Sequence, residues 1–193
     1  MKIPILLERK HVLPNGCNQI YLNLNLHINT LKFSFENQNR FGLCMFETST
    51  TEKIGYQLFN TGTVVEIIDF NSSFPSNKLE LTIKGVQHFS IAEIFEEQKT
   101  LFAKIKLSFN NDQFVQLNNN EYNILAKNLK LFFKKNPSVS CLYKEKEWDN
   151  IKWICDRLIE ILPLSPSDKQ ALIHNQNFEK VCNYLLQIMT VSH

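Results

Sequence analysis

Glycine and proline are scarce in this chain, at 5 Gly and 6 Pro in 193 residues, whereas Asn is abundant. Asn is therefore predicted to take over turn positions, since its short side chain bonds locally and tolerates positive φ. No stretch approaches the ~20 consecutive apolar residues that a membrane-spanning helix requires. The N-terminus, Met1 to Lys10, is charged too early to hold a secretory h-region. The cysteines (Cys17, Cys44, Cys141, Cys155 and Cys182) are odd in number, scattered and without a CxxC spacing. That argues against a zinc site or a disulfide framework and for reduced cytosolic thiols acting as small apolar residues. A net charge of +2 supplies no strong field to steer nucleic acid or a membrane surface. Without a GxxxxGK[ST] loop, backbone amides and a lysine are not arranged for nucleotide phosphates. These absences predict a cytoplasmic protein with no membrane partner, no cofactor and no metal.

Apolar residues make up 44% of the chain and include 15 Phe, enough for a packed core. Residues 2 to about 111 read as β. Ile20, Leu22, Leu24 and Leu26 alternate with polar residues, a period of two that places four apolar side chains on one face. Phe41 to Phe46 is a nearly continuous apolar run, consistent with a buried strand. Gly62 to Phe70 is rich in Val and Ile, and the turn residues Asn71 to Asn77 separate it from the alternating Leu79, Leu81 and Ile83. Gly85 then interrupts before Phe89 and Ile91, which predicts a bulge or sharp bend at a barrel corner. Leu101 to Phe109 is a further strand. From His27 to Glu36 two periods compete: Ile28, Leu31 and Phe35 suit a helix, whereas Leu31, Phe33 and Phe35 suit a strand.

The spacing changes after about Asn118. Tyr122, Leu125, Leu129 and Phe132 recur at three and four, and Asn136-Pro137 stops that helix. Ile151, Ile154, Cys155, Leu158, Ile161 and Leu162 form a second stripe that Pro163 ends. Ser165, Pro166 and Asp168 make a helix start, and Asn177 caps a last stripe of Phe178, Val181, Cys182, Leu185 and Ile188. The plan is a β-barrel unit over residues 1–112 and an α-helical bundle over residues 118–193, joined by an Asn-rich stretch.

Several short motifs, in order, resemble the N-terminal substrate-binding domain of Lon-type ATP-dependent proteases. They are Ile3-Pro4-Ile5, Val12-Leu13-Pro14-Asn15-Gly16, Phe41-Gly42, Thr61-Gly62-Thr63, the strand ending at Gly85, and the helix holding Lys169-Gln170. The resemblance implies an α+β fold, a PUA-like β pseudobarrel followed by a C-terminal helical bundle. One place departs from it. Where the family carries a phenylalanine-glutamate-x-arginine-tyrosine motif leading into a helix, this chain has Asn23-Leu24-Asn25-Leu26-His27. A Lon protease also needs a P-loop and a Ser-Lys dyad, so the chain is read as a stand-alone domain and not as an enzyme.

No constellation for chemistry emerges. His11, His27, His88, His174 and His193 lack metal-ligand spacing. Glu96 and Glu97 are neighbours in a strand and point to opposite faces, so they cannot share a proton. Cys155 and Cys182 fall on apolar helix stripes, where packing is the default. His88 is either a strand-surface imidazole or a pH-sensitive contact beside a groove. Lys127, Lys130, Lys134 and Lys135, interleaved with Phe132 and Phe133, are either a solvated basic face or an RNA-binding one. Of Trp148 and Trp153, one belongs to the core stripe and the other to a groove or a junction between barrel and bundle. The resemblance implies recognition of exposed apolar segments of partner or misfolded polypeptides, with a role as an adaptor. Phe33, Phe35, His88 and Trp148 are the candidate contacts. An RNA-binding PUA-like module is the alternative.

Overall fold

The computed structural model describes residues 1–49, 55–72, 77–108, 118–175 and 177–191. The fold is α+β, with a six-stranded sheet and six helices among the described residues. Two compact units divide the chain, Met1–Asn110 and Asn111–His193.

The first unit holds strands β1 (Lys2–Glu8) and β2 (Cys17–Asn23), helix α1 (Leu24–Glu36), and strands β3 (Arg40–Ser49), β4 (Gly55–Ser72), β5 (Lys78–Glu97) and β6 (Thr100–Leu107). Their order in the sheet is β2-β5-β4-β3-β1-β6, and a further β5–β6 pairing closes a five-stranded ring. β5 is 20 residues long and serves two partners. Its first part pairs antiparallel with β2 and its second part with β6. β1 runs parallel to β3 and antiparallel to β6.

The apolar run of β3 has a simple cause: both faces of the sheet are buried. Ile5, Cys44 and Val64 belong to one core cluster, with Ile3, Phe89, Ala103 and Ile105. Their chain neighbours Leu6, Leu43 and Val65 belong to the other, with Phe41, Leu81 and Ile83 and with Leu31 of α1. Two of the glycine motifs meet at Phe89 inside the first cluster. A Cβ on Gly42 would lie 2.9 Å from the Phe89 ring, and one on Gly62 would lie 2.5 Å from it. Only glycine leaves room for this fully buried aromatic.

The β4–β5 register shifts where Val65 pairs Gly85 after Val64 has paired Gln87, so Val86 is the extra residue of a bulge. The interruption at Gly85 is therefore a bulge in this structure. Further shifts lie at Ile68 in β4 and at Ala92 in β5. Positive φ falls on Asn15 and Asn39, as the Asn content suggests, and also on Gln38, Gln98 and Lys99.

Two expectations need correcting here. β2 ends at Asn23, so Leu24 and Leu26 do not continue the alternating strand; they open α1. The segment with competing periods is wholly helical. Asn23 starts this helix by accepting the Asn25 backbone N–H through its side chain at 2.9 Å. The helix thus forms without the acid, arginine and tyrosine of the family pattern. The strand expected to run to Phe109 is described only as far as Leu107, and Phe109 lies outside the described residues.

The second unit holds α2 (Asn119–Lys135), α3 (Pro137–Ser140), α4 (Ile151–Ile161), α5 (Pro166–Ile173) and α6 (Phe178–Val191). Asn118 and Glu121 form a reciprocal capping box on α2. Asn150 caps α4, Ser165 caps α5, and Asn177 accepts the Lys180 N–H at 3.1 Å. Leu125, Leu129, Ile154, Leu158, Val181 and Leu185 fill the core. The phenylalanine that enters it from α2 is Phe133 and not Phe132, which is only half-buried.

Candidate functional site

Helix α1 is amphipathic in an unusual way. Its inward face carries Thr30, Leu31 and Ser34, all buried, and the Ser34 hydroxyl returns a hydrogen bond to the Thr30 carbonyl at 2.7 Å. Its flanks leave large apolar side chains in water: Ile28, 44% exposed, and Phe35, 48%, on one side, and Leu26, 70%, on the opposite side. Ile28 and Phe35 are seven residues apart and so share one face of the helix. Leu26 and Ile28 are exposed apolar side chains that the sequence did not single out as candidates. The strand reading of Leu24 and Leu26 hid them, and only the Ile28, Leu31, Phe35 spacing pointed to this face.

Phe33 and Phe35, taken together as one candidate region, separate on the helix. Phe33 packs edge-on against Phe102, with ring centroids 5.1 Å apart, and Phe102 in turn stacks on Phe95. The Lys2 ammonium lies 4.4 Å from the Phe102 centroid and is bonded to Glu97 at 2.5 Å. Phe33 is thereby tied to the barrel, whereas Phe35 is exposed. Glu97 serves Lys2, so the neighbouring carboxylates Glu96 and Glu97 act separately.

His88 sits within β5, half-buried, its Nδ1 3.3 Å from the hydroxyl of the buried Thr63 on β4. That is a cross-strand contact on the sheet. Elsewhere on the same unit, Tyr21, Glu80 and Asn71 lie side by side on β2, β5 and β4 and, with Lys78, line a shallow concavity of about 400 Å³. Gln19 donates to the Glu80 carboxylate at 2.8 Å, and hydrogen bonding to the same carboxylate, with its negative charge, pushes the Tyr21 phenol up.

In the second unit Trp148 is half-buried and belongs to an aromatic cluster. It meets Trp153 edge-on at 5.6 Å and Phe133 at 6.0 Å, and Tyr122 donates its hydroxyl to the Trp148 carbonyl. Trp153 is the core member of the tryptophan pair, at 3% exposure. Lys130, from the basic face of α2, places its ammonium 5.1 Å from the Trp148 ring. Lys134 and Lys135 occupy the last turn of α2, where they complement the helix dipole. The basic face thus has structural work within its own unit.

No group of three or more metal-ligating side chains occurs among the described residues. No described helix is long and apolar enough to cross a membrane. The most heavily charged buried place is α4. There the Arg157 guanidinium, 1% exposed, grips Glu160 through Nε at 2.6 Å and a second nitrogen at 3.0 Å. Burial opposes the charge on Arg157, and Glu160, Tyr143 and Asp156 together more than offset it, holding that pKa above its ordinary value.

Comparison with known proteins gives this arrangement a context. The Lon protease of Buchnera aphidicola subsp. Schizaphis graminum is 23% identical over 198 residues, covering 98% of this chain and 25% of that protein. The chain therefore spans about a quarter of that relative's length, the relative being the larger by the 25% coverage. A Lon N-terminal domain protein from Xanthomonas campestris shares the fold at TM-score 0.71 and 18% identity, over 97% of this chain and 98% of that one. The N-terminal domain of Mycobacterium avium complex Lon protease does so at TM-score 0.62 and 12% identity, over 100% of both. Residues 2–191 match the family model of the ATP-dependent protease La (LON) substrate-binding domain, and the chain belongs to that family.

Proposed function

We propose that this domain binds exposed apolar segments of partner or misfolded polypeptides and carries out no chemistry of its own. The observation that carries the reading lies on α1, where Ile28 and Phe35 share one side of a short, well-anchored helix and stand partly in water. Burying such side chains against a partner releases roughly 25 cal/mol per Å² of apolar surface. Membership of a substrate-binding family supports the reading, as does the low net charge, which leaves apolar contact as the main attraction. Phe35 is the central contact. Phe33, His88 and Trp148 are proposed as supporting ones, each already held by a neighbour within its own unit. Handing bound chains to a separate ATP-driven protease, as an adaptor, is the role that follows.

The test is fluorescence anisotropy with a labelled, permanently unfolded model protein and a labelled RNA oligonucleotide, each at low and high salt. Binding of the unfolded protein that persists at high salt and weakens several-fold in Ile28→Ser/Phe35→Ser supports the proposal. Failure to bind the unfolded protein overturns it. So does retention of RNA alone, with affinity falling steeply with salt as phosphate contacts require.

A further inference from the structure

The two cysteines that the sequence places on separate apolar stripes meet in the core of the helical unit. Cys155 on α4 and Cys182 on α6 are both fully buried, with their sulfurs 3.8 Å apart. The remaining cysteines offer a built-in contrast. Cys44 is buried in the barrel, Cys17 is half-exposed on β2, and Cys141 is exposed. From this geometry we infer that Cys155 and Cys182 are a peroxide-oxidisable dithiol that closes to a disulfide between α4 and α6.

A disulfide needs its sulfurs at about 2.05 Å, so from 3.8 Å the pair must close by under about 2 Å. The environment also divides the labour between the two thiols. The two thiols share a hydrogen bond in which either sulfur can be the donor; that contact together with burial pushes the Cys155 thiol up, and the same contact draws the Cys182 thiol down. Cys182 is accordingly the attacking sulfur. Its thiolate attacks one oxygen of hydrogen peroxide, the O–O bond breaks, and a sulfenic acid forms with release of hydroxide. Cys155 then attacks the sulfenic sulfur and expels the second hydroxide. The Cys155 proton and the one lost earlier by Cys182 convert the two hydroxides to water. Two thiols are oxidised to one disulfide as one peroxide is reduced. α5 lies between the two cysteines in the chain, so the bond would staple the bundle and enclose α5 in a covalent loop.

The experiment exposes the folded chain to hydrogen peroxide, alkylates it under denaturing conditions and maps the peptides by mass spectrometry. A Cys141→Ser variant, altered only at an exposed site, is run in parallel to remove thiol shuffling. The expected result is a linked pair of peptides containing Cys155 and Cys182, a mass lower by two hydrogens, and reversal by dithiothreitol. Two of the five thiols then disappear, while Cys44, whose pKa burial pushes up to about 12, is recovered as a thiol. The oxidised protein also melts at a higher temperature than the reduced one. Recovery of Cys155 and Cys182 as free thiols after Cys141 has been oxidised overturns the inference. Oxidation of Cys182 to a sulfinic acid without a linked peptide does the same.

Discussion

Gly85 and Leu13 touch backbone to backbone: a Cβ built on Gly85 collides with the Leu13 carbonyl oxygen and lies 2.7 Å from its carbon. The contact is fixed on both sides. Gly85 donates its N–H to the Gly16 carbonyl at 2.8 Å and accepts from the Asn15 N–H at 2.9 Å. Thus the loop before β2 is locked onto the bulge of β5.

Because the colliding atoms are backbone and cannot swing away, Gly85→Ala should destabilise the domain by about 2 kcal/mol or more. Urea unfolding measures this. A midpoint equal to that of the parent protein would contradict the contact.

The β5–β6 hairpin turns on Gln98 and Lys99, at φ 51° and 59°, with Glu97 paired to Thr100. A two-residue turn with both φ values positive favours Asn-Gly, and residues such as Gln and Lys are strained there by roughly 1 kcal/mol each. Gln98→Asn/Lys99→Gly should therefore raise stability by about 1 kcal/mol. The bond from the Asn29 side chain is kept, because it reaches the Gln98 backbone carbonyl. A fall in melting temperature would count against the turn geometry.

Glu160→Gln takes the carboxylate charge from the bidentate partner of the buried Arg157 guanidinium. The cost should be about 3–5 kcal/mol, whereas replacing both residues by leucine should cost less. Chemical denaturation of the single and double variants decides this. A single variant close to the parent would show that the pair carries little weight.

Burial lowers the pKa of His27 on α1 and of His174 just after α5 below the ordinary 6.5. The unfolded chain therefore takes up these protons first as pH falls through 6.5. Their contribution to stability is intact above that value, is lost as pH drops through it, and levels off below the lowered folded-state values. Thermal melts between about pH 7.5 and 5.5 should lose part of their slope in His27→Gln/His174→Gln. An unchanged slope would remove the histidines as its source.

Legibility in the sequence followed the strength of local signals. Pro163, Ser165-Pro166 and Asn136-Pro137 mark helix ends by their own chemistry, and the structure ends and starts helices there. The period of two through Leu24 and Leu26 misled because a strand and a helix abut with no glycine or proline between them; the cap that divides them is a single Asn side chain. In the candidate region, Phe33 and Phe35 are same-face neighbours in a strand but lie far apart around a helix, so one wrong period mispairs them. The meeting of Gly42, Gly62 and Phe89, and that of Cys155 with Cys182, depend on tertiary closure, which no local pattern records.

The Met1 ammonium donates to the Ile105 carbonyl, 104 positions along the chain. During synthesis the first strand made must therefore wait, apolar and without its β6 neighbour, until the last strand of the ring leaves the ribosome. Such distant pairing delays closure. Through that interval one apolar edge of β1 stays without its native neighbour.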